Sequence, residues 1–468
     1  MGESGQRARL FGTDGVRGVA GDDLTASLAL DLAVAAAAVL GAPHDGAAVH
    51  GPQGGAAVPR RQGGRAVAVV GRDSRASGEF LEAAVAAGLA SAGVDVLRLG
   101  VIPTPGVAYL TLALGAAFGV VISASHNPAA DNVIKFFGRG GVKLPDAVED
   151  QIEARLGLPG ANTAFGRIED AAAEQERYLD HLLSTLPGPP ARALAGLRVV
   201  ADCAHGAAYR LAPEALRRAG AEVIAIGAAP DGRNINDGCG STCLDAVSAA
   251  VVERGADAGV AYDGDADRCL AVDADGHPLD GDQILAVLAT ELREEGRLAR
   301  DAVVATVMSN QGFHVAMREA GIAVVETPVG DKHVSAAMRD GGYVLGGEQS
   351  GHIILIEHAT TGDGILTSLQ LLAAVHRRGV PMAAVAKMIQ KYPQVLVNVP
   401  GDASRLGPWV DAAVSRAEER LGGNGRVLVR PSGTEPAIRL MVQAEDAGLA
   451  QQVIGELAAE VRLALSAQ

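Results

Sequence analysis

The sequence predicts an α/β chain of three related mixed α/β domains built from βαβ units, followed by a smaller C-terminal α+β domain, four domains around a central cleft. Three observations lead there. The segments AGVDVLRLG from Ala92, AGAEVIAIG from Ala219 and AGIAVVETPVG from Ala320 resemble one another. Each follows an apolar strand and a helix-like stretch, the strand, helix, strand order of a largely parallel sheet. The copies recur too far apart for a solenoid, so a whole domain has been duplicated.

The first strands of the copies are Ala66–Val70, Leu197–Ala201 and Val303–Val307, and the helices are Ser77–Ala92, Ala208–Ala219 and Phe313–Ala320. Near the C-terminus GRVLVRPSGTEPAIRLMVQAE alternates as a half-buried hairpin does, before a helix over Gly448–Leu465. These patterns place the domains at 8–170, 175–277, 279–390 and 394–466. Between the early helical segment and the first copy, Gly41–Arg65 is a Gly/Ala/Pro tract without periodicity, read as a surface loop with no catalytic role.

Bulk properties narrow the function. At 468 residues with 48% hydrophobic and 20% charged residues the chain is globular and multidomain. A net charge of −15 argues against a nucleic-acid or anionic-membrane surface, so any anionic ligand needs local positive charge. Four cysteines, at 203, 239, 243 and 269, are too few to staple this chain and lack metal-site spacing. The N-terminus has no signal-peptide core, and Leu32–Pro43 is too short to span a bilayer, so the expected location is the cytoplasm.

Four stretches carry chemistry. In VVISASHNPAADNVIKFFG an apolar strand ends at Ile122 and a polar knot of Ser123, Ser125, His126 and Asn127 follows, presenting a serine at a tip. In AYDGDADRCLAVD, Asp263, Asp265 and Asp267 are spaced by two, which in an extended or gently turning segment puts three carboxylates on one side. Such charges repel unless a cation joins them, and a hard ion, Mg2+ first, suits three carboxylates. An EF-hand is excluded, because Arg268 stands where that loop needs Gly and Ala274 where it needs Glu. In LGGEQSGH, Glu348, Ser350 and His352 alternate, so in an extended segment they share a face and can grip a polyol; a glycine-rich hairpin is the other reading. In RPSGTEPAIR, Arg430, Ser432, the amides around Gly433, and Thr434 form an anion cradle. A presented serine, a cation site, a polyol grip and an anion cradle in successive domains together fit a phosphosugar held in one cleft.

The order FGTDGVRG, GRDSRASGEFLE, SASHNP, DGDADR, GGEQSGH, TTGDGIL, RPSGTEP resembles the α-D-phosphohexomutase superfamily over nearly the whole chain. The resemblance implies an intramolecular phosphotransferase of the isomerase class, with the phosphate carried on Ser125 and Mg2+ held by Ser125, Asp263, Asp265 and Asp267. It implies His126, Arg17, Lys135 and Arg268 as positioning or proton-transfer groups. Lys135 as a base would need a depressed pKa. Glu348, Ser350 and His352 would hold sugar hydroxyls, and Arg430, Ser432, Gly433 and Thr434 the phosphate that is not transferred. Gln349 matches the aminosugar mutases, implying exchange of glucosamine 6-phosphate and glucosamine 1-phosphate through glucosamine 1,6-bisphosphate. A homodimer is implied by the resemblance alone.

Several positions depart from the family pattern. Val133 replaces a usual Gly, and at positive φ it would cost about 1–2 kcal/mol or move Lys135. Ala129 and Ala130 are smaller than usual and would loosen the serine loop. Lys332 replaces an Arg that grips bidentately. Gln311 and His314 are also atypical. The competing functions are a glucose- or mannose-phosphate mutase, a non-catalytic sugar-phosphate-binding homologue, and a metal-dependent phosphatase.

Overall fold

The computed structural model describes residues 9–12, 14–41, 64–158, 164–401, 406–407, 409–422, 425–431 and 437–466. The chain forms two compact units, one of Met1–Val307 with Val325–Ala386, the other of Met308–Val324 with Lys387–Gln468.

Three sheets of the first unit repeat one plan. In the first, strands Asp95–Val101, Val67–Arg72 and Phe118–Ile122 lie side by side and parallel, and Asp131–Gly138 adds antiparallel to the last of them. In the second the same order is Glu222–Ile226, Arg198–Asp202, Ala258–Tyr262, then antiparallel Cys269–Asp273. In the third it is Ala323–Thr327, Ala302–Thr306, Leu345–Gly347, then antiparallel Ile353–Leu355. The duplication read from three short segments is therefore a duplication of topology. Its consequence is positional: residues 123–130, 263–268 and 348–352 are one equivalent connection, from the third parallel strand to the antiparallel fourth. All three loops leave the C-terminal ends of parallel strands, where open α/β sheets bind ligands.

The central strands are buried along their length, as in Phe118–Ile122 and Ala258–Tyr262, which is why they read as continuous apolar runs. Helices Ala26–Leu40 and Ser77–Ser91 pack together beside the first sheet. Their close approach needs Gly88, where a Cβ would stand 2.6 Å from the Leu30 carbonyl oxygen. In the second copy the helix is shorter than its pattern, Leu211–Arg218, because Ala204 and His205 take positive φ and the Ala207 N–H donates to the Gly264 carbonyl.

The second unit contains a three-stranded antiparallel sheet, Gln394–Pro400, Ala437–Ala444 and Gly425–Pro431 in that order. Ile438, Leu440 and Val442 pack its apolar face on Val453, Ile454, Leu457 and Val461 of helix Ala447–Ser466. Helix Gln311–Glu319 belongs to this unit, its first N–H donating to Gln443 Oε1 at 2.7 Å. Within it the atypical His314 meets Arg426 at 2.9 Å. No helix among the described residues is long and apolar enough to cross a membrane.

Candidate active site

Ser125 sits one turn beyond its strand with φ 51°, a left-handed conformation that is costly for a residue bearing a Cβ. Neighbouring groups hold it there. The Ser125 N–H donates to Ser123 Oγ at 3.0 Å, and that hydroxyl donates to Asp73 at 2.6 Å. The Ser125 carbonyl accepts from Arg75 Nη2 and from Asn236 Nδ2, both at 2.9 Å. Arg75 is fully buried. Its guanidinium pairs with Asp73 at 2.8 Å and donates to the carbonyls of Asn127, Pro128 and Asp131 as well. The serine loop is thus wrapped around one arginine, and the small Ala129 and Ala130 do not leave it loose. Arg17 reaches the same loop from outside, donating to Asp131 at 2.7 Å, where Asn127 Nδ2 also donates at 2.8 Å.

The aspartate loop lies directly against this tip. Gly264 permits the approach, since a Cβ there would stand 2.4 Å from the Ser125 carbonyl oxygen. Ser125 Oγ donates to Asp263 Oδ2 at 2.5 Å. The three aspartates lie in a turn, with Ala266 at φ 57°, and one carboxylate oxygen from each falls within 4.8 Å of the others. Burial, then Asp267 and Asp265, push Asp263 well above the usual carboxylate range. Asp265 Oδ2 accepts from Thr104 at 2.7 Å and Lys135 at 3.1 Å. Asp265 Oδ1 and Asp267 Oδ1 are buried without a hydrogen-bond partner among the described residues. Buried carboxylate oxygens are costly when unpaired, and this donor set fits a hard divalent cation.

Val133 departs from what the sequence suggested. It lies in strand Asp131–Gly138, paired with Arg17, and is not among the residues with positive φ. No strain arises, and Lys135 keeps its place. Its Nζ is 2.7 Å from Asp14 Oδ2 and 3.1 Å from Asp265 Oδ2. Burial alone would lower the Lys135 pKa, but Asp14, Asp265 and Asp267 raise it well above its usual value. The depressed pKa required of a lysine base is therefore absent in this state. His126 is exposed, with Nδ1 3.2 Å from Ser125 Oγ. Partial desolvation and the Arg268 charge lower its pKa, leaving it neutral at neutral pH. Arg268 lies beside the aspartates, Nε 3.8 Å from Asp267.

Glu348, Ser350 and His352 are not on an extended strand. Strand Leu345–Gly347 ends before them and Ile353–Leu355 begins after them, so they form the tight turn of a glycine-rich hairpin. Glu348 accepts from the Gly330 N–H at 3.1 Å and faces Ser350 Oγ at 3.4 Å. Gln349 reaches Asp280, the N-cap of helix Gly281–Glu294, at 3.4 Å. His352 corrects the expectation of a sugar contact. It is 2% exposed, with Nδ1 3.4 Å from Asp267 and Nε2 accepting from the Gly362 N–H at 3.0 Å. It braces the aspartate loop from behind.

Burial lowers the His352 pKa, but Asp267 and Asp331 raise it to about 9 in the metal-free site, against the Gly362 N–H, which favours the neutral ring. A folded value above the unfolded one stabilises the fold below about pH 6.5, and that contribution is lost as pH rises through about 9. In EDTA, urea unfolding should show stability falling as pH rises between those limits. His352→Gln should remove that part of the pH dependence. A variant with the unchanged slope contradicts the charged state.

Lys332 does not face the aspartate loop. It donates to Asp146 at 3.1 Å and Glu149 at 3.2 Å on helix Asp146–Glu153. In the second unit Arg430 stands directly opposite Arg439 in the antiparallel register. Two like charges so placed repel, and Arg439 Nε is buried without a partner among the described residues. An anion between them would satisfy both. Ser432, Gly433 and Thr434 lie outside the described residues. Sequence reasoning gave no role to Arg75, Asn236, Thr104, Lys143 or Arg439. The second arginine of GRDSRASGEFLE and the second arginine of RPSGTEPAIR were the only signals for any of them.

Known proteins agree with this architecture. Models of phosphoglucomutase/phosphomannomutase alpha/beta/alpha domains I, II and III match residues 45–157, 176–276 and 280–392, and the C-terminal domain model matches 378–460. A phosphoglucosamine mutase of Thermobifida fusca (strain YX) is 61% identical over 464 residues, covering 98% of this chain and 99% of that protein. One from Streptomyces coelicolor is 57% identical over 468 residues, covering 98% and 99%. Among solved structures, one described as a putative phosphomannomutase from Thermus thermophilus aligns with TM-score 0.74 at 25% identity, over 97% of this chain and 99% of that one. A phosphoglucomutase/phosphomannomutase family protein from Burkholderia thailandensis aligns with TM-score 0.76 at 24% identity, over 97% of each chain. With all four domain models in order and relatives matched end to end, the chain belongs to the phosphoglucomutase/phosphomannomutase family, the α-D-phosphohexomutases.

Proposed function

We propose that this protein interconverts glucosamine 6-phosphate and glucosamine 1-phosphate through a phosphorylated Ser125. The observation that carries the reading is Ser125 Oγ at 2.5 Å from Asp263, beside two buried carboxylate oxygens that have no hydrogen-bond partner among the described residues. Substrate identity is supported by Gln349 and by the mutases from Thermobifida and Streptomyces.

Phospho-Ser125 donates its phosphoryl group to the 1-hydroxyl of glucosamine 6-phosphate. The new sugar O–P bond forms as the Ser125 Oγ–P bond breaks, and the hydroxyl proton passes to a base. The resulting 1,6-bisphosphate reorients and returns its 6-phosphate to Ser125: the Oγ–P bond forms as the O6–P bond breaks, the 6-oxygen takes up the proton given to the base, and glucosamine 1-phosphate is released. Mg2+ held by Ser125, Asp263, Asp265 and Asp267 would neutralise charge on the phosphoryl oxygens. Arg75 and Asn236 fix the Ser125 backbone, so Oγ stays aimed without reorganisation at each transfer. Lys135, charged and bonded to Asp265, would add positive charge beside the phosphoryl group. His126, with Nδ1 3.2 Å from Oγ, suits proton acceptance. Glu348 and Ser350 offer acceptor and donor atoms to sugar hydroxyls, and Arg430 with Arg439 would hold the phosphate at rest.

A coupled assay with glucosamine, glucose and mannose 6-phosphates tests the reading. The expected result is at least about 10-fold higher kcat/KM for the aminosugar. Equal or faster turnover of glucose or mannose phosphate moves the substrate assignment, and release of inorganic phosphate alone makes the protein a phosphatase. Asp265→Asn should lower kcat by about 100- to 1000-fold, and EDTA should abolish activity until Mg2+ is restored.

A further inference from the structure

A ring of close polar contacts starts and ends on the aspartate loop. From Asp265 it runs to Lys135 at 3.1 Å and on to Asp14 at 2.7 Å. Asp14 meets Lys143 at 2.7 Å, and Lys143 also holds Asp331. Asp331 faces His352 Nε2 at 3.7 Å, and His352 Nδ1 faces Asp267 at 3.4 Å. Lys143 is the only member that bonds two carboxylates outside the aspartate loop, and its side chain is 14% exposed. It stands on the short strand Val142–Lys143 of the first copy, whereas Asp331 opens helix Asp331–Gly341 of the third.

We propose that Lys143 is a positioning residue for the cation site: by holding Asp14 and Asp331 it sets where Lys135 and His352 stand, and through them the orientation of Asp265 and Asp267. The geometry gives the reason. Asp265 uses Oδ2 on Lys135 and Thr104 and leaves Oδ1 buried without a hydrogen-bond partner among the described residues. His352 does the same to Asp267, facing Oδ2 and leaving Oδ1, 3.8 Å from Arg268 Nε, without a hydrogen bond among the described residues. If Lys143 is removed, Asp331 loses its lysine and Asp14 keeps Lys135 as its one remaining lysine partner, so both carboxylates move in a partly dry site. Both braces of the aspartate loop then move together. This inference rests on the reading that the aspartate loop holds a divalent cation.

The test is Mn2+ affinity, measured by electron paramagnetic resonance on the full chain, for the wild type, Lys143→Met and Lys143→Met/Asp331→Asn. By charge alone, deleting a lysine near a cation site tightens cation binding. Lost positioning weakens it, so the sign separates the two. The expected result for Lys143→Met is Mn2+ binding weaker by about 5-fold or more. The double variant keeps net charge and removes two buried partners together, so it serves if the single variant does not fold. Its expected Mn2+ affinity is also lower, by about 3-fold or more. Unchanged or tighter binding in the folded variants overturns the proposal. Wild-type protein that binds no Mn2+, or binds it equally well after Asp265→Asn, refutes the cation reading itself and is distinguished from failure at Lys143. In the turnover assay the expected loss falls on kcat, with KM for the sugar phosphate within about 3-fold of the wild type.

Discussion

Ser125→Ala should abolish mutase turnover, with kcat reduced at least about 10,000-fold, because no other atom at the tip can carry the phosphoryl group between the two transfers. The loss is chemical. Alanine leaves the Arg75 and Asn236 contacts intact, since both are made to the Ser125 carbonyl. The φ of 51° is as costly for Ala as for Ser. What disappears is the hydroxyl donated to Asp263, so stability should change by no more than about 1–2 kcal/mol. A coupled glucosamine 6-phosphate assay beside thermal unfolding separates the two effects. Residual activity above about one hundredth of the wild type would remove Ser125 from its role as carrier.

Arg75→Met should have the largest effect on the fold of the serine loop. It leaves the Asp73 carboxylate buried without its cation and strips donors from the carbonyls of Ser125, Asn127, Pro128 and Asp131. Breaking a buried pair from one side costs about 3–5 kcal/mol. Relief from Asp73 taking up a proton is real, since burial already raises its pKa against the pull of Arg75. Arg75→Lys is the more informative variant. It keeps the charge and the pairing with Asp73, yet an ammonium cannot reach carbonyls spread around a planar fork. The expected outcome is a folded protein with kcat lowered by about 100-fold or more, because Ser125 is no longer held at its strained φ. Wild-type kcat in Arg75→Lys would show that the loop needs no such grip.

The fold was legible where it rests on local pattern. Apolar runs such as Ala66–Val70 and the repeated Ala-Gly turns are short-range signals, and the strands and helices they announce are present. The serine tip and aspartate loop were legible for the same reason, each being contiguous in sequence. What escaped depends on distant partners. Lys143 and Asp331 are separated by 188 positions, and Arg75 and Ser125 by 50, and no periodicity links them. The expectation for Val133 failed because strand pairing with Arg17 fixes its backbone, and pairing overrides what one unusual residue suggests. Alternation in LGGEQSGH left an extended segment and a glycine-rich hairpin both open, and pairing of Leu345–Gly347 with Ile353–Leu355 makes it the hairpin, with His352 buried behind the turn. Lys332, where the family pattern has Arg, pairs with Asp146 and Glu149 in a different copy of the repeat, which no local pattern reveals.

The most direct measurement is mass spectrometry of the intact protein and its peptides before and after incubation with glucosamine 1,6-bisphosphate and Mg2+, run beside the turnover assay. One added phosphate on the peptide that carries Ser125, together with exchange of glucosamine 6-phosphate and glucosamine 1-phosphate, is the expected result. Sugar phosphate binding with no phosphate on Ser125 and no exchange would contradict it, and would make the protein a non-catalytic binding homologue.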